Sequence, residues 1–117
     1  SRGGLLTLQA AIAQPRDIHA ILIFAPAPGI TTLHETLIDV SPILAPTSLY
    51  VSENDTFPAN HVQLSRDIED ALRAAEKDVT LTLYPPFENN GHRLFFEIRD
   101  IYWDDAINFL QTSIGAQ

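Results

Sequence analysis

The sequence predicts an α/β fold: a three-stranded parallel sheet flanked by about four helices. Three observations carry that reading. Segments with helical spacing of apolar residues alternate with short apolar runs, the order expected when helices cover a parallel sheet. The runs stop at Pro, Gly or Asn-Asp, which punctuate strands. Every connection between runs is long enough to hold a helix, as parallel neighbours require.

The first helix is expected over residues 3–14, with Leu5, Leu8 and Ile12 on one face and Pro15 beyond its end. The run Ala20 to Ala25 is short, continuous and apolar, as in a strand covered on both faces, and Pro26, Pro28 and Gly29 end it. Thr32 and Glu35 have capping-box spacing, so a short helix burying Leu33, Leu37 and Ile38 is expected next. Pro42 and Pro46 bracket a connector to the second strand, Ser48 to Val51, which runs into the polar turn Ser52 to Asp55. The clearest helix covers about 60–76, with Asn60 as its N-cap and an apolar stripe of Leu64, Ile68, Ala71, Leu72 and Ala75. The third strand runs from Val79 to Tyr84 and stops at Pro85-Pro86, and the loop Phe87 to Gly91 delivers His92. A last helix over about 101–114 would bury Trp103, Ala106, Ile107, Leu110 and Ile114, and Phe95 and Phe96 read as core.

At 117 residues the chain is one domain at most. A hydrophobic fraction of 45% gives it enough apolar residues to build a core. Seven Lys+Arg against fifteen Asp+Glu leave a net charge of -8, which argues against a nucleic-acid partner, whose phosphates need a basic footprint. The acidic balance suits a neutral small molecule, or no ligand at all. There is no cysteine, so no disulfide. No apolar run reaches the roughly 18 residues of a membrane span, and no signal-peptide pattern is visible. The expected location is therefore the cytoplasm by default.

Three residues could carry chemistry together. Ser1-Arg2-Gly3-Gly4, followed by an apolar helical pattern, matches the second half of a G-x-S-x-G nucleophile elbow. Asp55 follows the second strand and His92 follows the third, so both fall at the carboxyl edge of the sheet, where α/β proteins bind ligands. Ser1 opens the first helix at the same edge. A serine hydroxyl needs a base to take its proton, an imidazole suits that task, and a carboxylate fixes the imidazole's tautomer. The Arg2 backbone N–H, next after Ser1, is the candidate oxyanion-hole donor. Taken singly, each residue has an ordinary reading: Asn54-Asp55 as a turn, Gly91-His92 as a surface loop, Ser1 with its glycines as a processing remnant. Their order and common edge favour the joint reading.

Other polar residues carry less. His19, His34 and His61 lack metal-ligand spacing, so no metal or other cofactor is expected, and His61 reads as a solvated residue in the first turn of the long helix. Asp67, Glu69 and Asp70 read as a solvated helix face, and Asp104-Asp105 as charges complementing a helix dipole.

Over nearly its whole length the chain resembles the C-terminal half of a dienelactone-hydrolase-like α/β-hydrolase. The segments that carry the resemblance are Ser1 to Leu6, Ala25 to Gly29, Leu49 to Asp55, Tyr84 to Phe96 and Tyr102 to Leu110. It implies that residues 1–117 are the second half of a hydrolase domain whose N-terminal half is absent from this chain. It implies hydrolysis of esters, lactones or related acyl groups through an acyl-enzyme, with Ser1 as nucleophile, Asp55 as acid and His92 as base. Dienelactone hydrolases proper use a Cys nucleophile and this chain has none, so the resemblance points to a serine esterase or peptidase relative. The implied partners are an ester or lactone substrate and either the N-terminal half of the same fold or a second copy of this chain. The alternative is a non-catalytic fragment that self-associates through its bare edge strand. A third reading, a small flavodoxin-like module, would hold a phosphate at the N-terminus of the first helix.

Overall fold

Strands β1 (Ile21–Phe24), β2 (Thr47–Ser52) and β3 (Val79–Tyr84) form one parallel sheet in that order. The computed structural model describes residues 2–27, 32–57, 59–97 and 100–115, and the side chains of 2, 96, 97, 114 and 115 fall outside that description. Ile21 lies opposite Thr47 and Phe24 opposite Tyr50, while Thr47 lies opposite Val79 and Ser52 opposite Tyr84. All three strands therefore point their carboxyl ends at one edge. Between and around them run helices α1 (Arg2–Ala13), α2 (Thr32–Thr36), α3 (His61–Ala74), α4 (Leu94–Glu97) and α5 (Asp100–Gly115). The expected four helices are α1, α2, α3 and α5. The segment expected as a plain loop around His92 instead holds a 3-10 turn, Gly91–Arg93, that runs straight into the single turn of α4.

One face of the sheet carries the larger core. Leu8 and Ala11 of α1, Leu33 of α2, and Leu64, Ile68 and Leu72 of α3 close over Ile21, Ile23, Leu49 and Val79. Each such aliphatic side chain contributes about 1.5–3 kcal/mol by leaving water. Helix α3 enters this core at a fixed point because Asn60 caps it, its side chain accepting from the Gln63 N–H at 3.0 Å.

The opposite face is aromatic. Phe24 stacks on Tyr50 with ring centroids 4.8 Å apart, and Phe95 meets Tyr102 edge-on at 5.1 Å. Tyr84 donates its hydroxyl to Asp105 Oδ2 at 2.6 Å, which ties α5 to β3. Asp105 thus accepts a specific hydrogen bond besides standing early in the helix. Burial first, and the Asp105 carboxylate second, push the Tyr84 phenol well above the ordinary range, and burial pushes Tyr50 the same way. Above about pH 10 the unfolded chain has released these protons while the folded chain still holds them, so stability falls as pH rises from there. Tyr84→Phe should flatten that alkaline decline without abolishing it. Urea unfolding followed from about pH 8 to 11 measures the slope, and an unchanged slope in the variant would refute the assignment.

Several sequence expectations change. Helix α2 begins at Thr32 itself, so Thr32 is a helical residue and not the residue before the helix. It ends at Thr36, so Ile38 falls in the following turn and is 83% exposed. Trp103 is 47% exposed although it lies on the expected stripe of α5, whereas Ala106 on that stripe is buried. Among the described residues the sheet below has three strands, which cover part of the helix face and leave the rest to solvent. For the same reason β1 is not covered evenly: Ile21 and Ile23 are buried and Leu22 and Phe24 half-buried. Phe96, Ile114, Pro28 and Gly29 lie outside the described residues or side chains. No helix among the described residues is long and apolar enough to cross a membrane.

Candidate active site

The site is built from two segments beyond the carboxyl ends of β2 and β3. After β2 the chain turns at Glu53-Asn54, with the Asp55 N–H donating to Ser52 O at 3.0 Å. After β3 it runs through Pro85-Pro86 to the 3-10 turn that carries His92. Asn54 fastens the two together. Its Nδ2 donates to the carbonyls of Phe87 (3.2 Å) and Glu88 (3.1 Å), and its Oδ1 accepts from the Phe87 N–H at 2.9 Å. Asn90 then fixes the turn by accepting from the His92 N–H at 3.0 Å. Gly91 is needed at the point of closest approach. A Cβ there would run into Asn54 Oδ1 and stand 2.8 Å from Ser52 Oγ and 2.9 Å from Asp55 N.

These constraints bring Asp55 and His92 together. Asp55 is 0% exposed, and its Oδ2 lies 2.9 Å from His92 Nδ1. A carboxylate can only accept, so Nδ1 carries the proton and Nε2 is the basic nitrogen of the ring. The other carboxylate oxygen, Asp55 Oδ1, is buried and has no hydrogen-bond partner among the described residues.

The sequence missed a third member. His61 was expected in solvent, and it is in the first turn of α3 as expected, but it is only 7% exposed. Its ring stacks on that of His92, centroids 4.5 Å apart and planes within 26°. Its Nδ1 lies 2.7 Å from the Pro26 carbonyl and its Nε2 3.8 Å from Asp55 Oδ1. The latter is an ion-pair distance, longer than a hydrogen bond. A signal for this was available: a crossover helix starts at the carboxyl edge of the sheet, so the first residue of α3 has to lie near the acid turn.

Neither protein-family models, nor curated proteins, nor solved structures provide a match to this chain. The site is therefore read from its own geometry.

Asp55, His61 and His92 are the one group of potential metal ligands among the described residues, with ligand atoms within 4.8 Å of one another. The rings of His61 and His92 stack, and one nitrogen of each engages a protein oxygen. Asp55 is the residue the two histidines share.

The remaining expected residues fall as follows. Ser1 lies outside the described residues. Arg2 is the first residue of α1, where N–H groups have no intrahelical partner. Gly4 packs against the sheet: a Cβ on it would stand 2.8 Å from Ile23 Cγ2. His34 pairs with Asp67 at 3.0 Å and Glu69 with Arg73 at 3.0 Å, both surface contacts worth little. So the face of α3 expected in solvent carries the Glu69–Arg73 ion pair and the Asp67–His34 contact.

Proposed function

We propose that the chain is the C-terminal part of a serine hydrolase acting on esters or lactones, with Ser1, His92 and Asp55 as nucleophile, base and acid. The observation that carries this reading is the buried Asp55 holding His92 by Nδ1 at the carboxyl edge of a parallel sheet. In the proposed reaction His92 Nε2 takes the Ser1 hydroxyl proton as the oxygen attacks the acyl carbon. The Arg2 backbone N–H stabilises the oxyanion that forms. His92 returns the proton to the leaving alcohol as the carbon–oxygen bond breaks, leaving an acyl-enzyme. Water then repeats the sequence and releases the acid. The tight approach of Gly4 to Ile23 supports the elbow reading, since a larger residue would push α1 off the sheet.

A fluorophosphonate probe tests the proposal. Labelling is expected at Ser1 and is lost in Ser1→Ala. A folded, intact sample that does not label rejects the hydrolase reading.

The specific observation behind the alternative is the edge of β1. Among the described residues β1 pairs with β2 alone, and an apolar edge strand invites a further strand. In the hydrolase reading an N-terminal segment of the same fold takes that edge and brings the second oxyanion donor. In the alternative a second copy takes it and no chemistry follows. Mass spectrometry of the intact native sample separates the two: an N-terminal partner favours the first, a homodimer without probe labelling the second.

A further inference from the structure

We propose that Asp55, His61 and His92 form a binding site for a zinc ion, which switches off the proposed acid–base pair when it binds. The binding stands on geometry, and its effect on chemistry rests on the hydrolase reading.

The Pro26 carbonyl, 2.7 Å from His61 Nδ1, only accepts, so the proton of the neutral ring is on Nδ1 and the lone pair on Nε2. Nε2 lies 3.8 Å from Asp55 Oδ1, which is buried and has no hydrogen-bond partner among the described residues. Two electron-pair donors thus stand near each other in a buried site, and their spacing decides what can join them. It is too long for a hydrogen bond. A water donating to both at ordinary distances would hold them about 4.5 Å apart. Two ligands of one tetrahedral zinc, each about 2.0–2.2 Å from the ion, stand about 3.3–3.6 Å apart, a small adjustment from the spacing seen.

His92 supplies the third ligand. Its Nδ1 is 2.9 Å from Asp55 Oδ2, and ligand atoms of the three residues lie within 4.8 Å of one another. Two imidazoles and a carboxylate suit zinc, whereas magnesium and calcium prefer oxygen. His61 is steadied as metal-bound histidines are, by an acceptor on its other nitrogen. Ala25, immediately before Pro26, has φ 49°, a left-handed conformation that residues with side chains hold mainly at functional sites and ligand clamps. Its N–H donates to Tyr50 O at 2.9 Å, so the turn that presents the Pro26 carbonyl is fixed at its base. The His92 side chain is 25% exposed and that of Asp55 0%, so the ion enters past His92.

Binding moves one proton. To give its Nδ1 lone pair to the ion, His92 shifts its proton from Nδ1 to Nε2, and none is lost to solvent. Nε2 is the nitrogen that serves as base in the proposed reaction, so it can no longer accept from Ser1. The Asp55 carboxylate is taken by the ion at the same time.

Zinc chloride titrated into chelator-treated, 15N-histidine-labelled protein tests the site, with calorimetry and nitrogen spectra recorded together. One equivalent is expected to bind, shifting the His61 Nε2 signal and moving the His92 proton from Nδ1 to Nε2. His61→Phe keeps a flat ring without the ligand. It should weaken binding by more than the about 10–100-fold that loss of a merely supporting group costs. His34→Ala removes a surface histidine paired with Asp67 and should leave binding unchanged. Saturating zinc should slow fluorophosphonate labelling of Ser1 at least about a hundredfold, the weight of a general base, and a chelator should restore it. Labelling of His61→Phe, whatever its rate, should not respond to the same zinc concentration. The site is overturned if zinc does not bind, or if only the His19 and His34 signals move. Should His61→Phe fail to fold, the wild-type spectra decide. Zinc bound at His61 with labelling unslowed overturns the switch. Zinc bound at His61 in a protein that never labels rejects the hydrolase reading and leaves the site standing.

Discussion

Asp55→Asn should lower the rate of ester hydrolysis, and of fluorophosphonate labelling at Ser1, by about four orders of magnitude. The reason is charge, since the substitution changes shape little. In the proposed reaction His92 becomes an imidazolium as it takes the Ser1 proton, and the Asp55 carboxylate 2.9 Å away balances it. An amide carries no charge, and its NH2 group can also face Nδ1 and force the wrong tautomer. Because Asp55 is buried, the loss is not made up by water. The variant has to be shown folded, by the ring-current-shifted signals of the aromatic face, before its rate is compared. A folded Asp55→Asn that reacts at the wild-type rate would remove Asp55 from the mechanism.

Gly91→Ala is the second large effect. A single methyl group would overlap Asn54 Oδ1 and crowd Ser52 Oγ and Asp55 N, all three in the acid turn. Asn54 cannot move aside without losing its three bonds to the histidine loop. The loop has to back away, and His92 goes with it. Overpacking of this kind costs about 1–3 kcal/mol. The activity should fall much further than the stability, because the Asp55–His92 contact tolerates little displacement. Urea midpoints and the His92 Nδ1 resonance measure the two effects separately. An alanine accepted with full stability and an intact resonance would mean that the two loops are not locked as described.

The sheet was legible because apolar periodicity is a local signal. Val79 to Tyr84 reads as a strand from its own residues, and Leu64, Ile68 and Leu72 read as one helix face. Asn60 was legible as a cap for the same reason. Exposure was less so. Nothing in the spacing of Ile38 or Trp103 says how far the partner layer extends, and both are exposed. The meeting of Asp55 with His92 could be expected from topology, since residues that follow parallel strands share an edge. His61 escaped because its partners are far along the chain: the Pro26 carbonyl is 35 residues away, and a backbone acceptor leaves no mark in the sequence. The helical turn around His92 escaped as well. Its cap, Asn90, stands in the run Glu88-Asn89-Asn90-Gly91, which reads as loop.

Asp55 has a main chain as well as a side chain. Its carbonyl accepts the N–H groups of His61 at 2.9 Å and Val62 at 3.3 Å, the first two of α3. One residue thus anchors the start of the helix that brings Leu64, Ile68 and Leu72 to the core with its backbone, and addresses His92 with its carboxylate. A disturbance that frays the first turn of α3 reaches the carboxylate without any substitution near it, and drift in the acid turn loosens the core. Selection cannot tune the two separately. With or without chemistry at the site, this position would be held to the same conformation by the needs of folding alone.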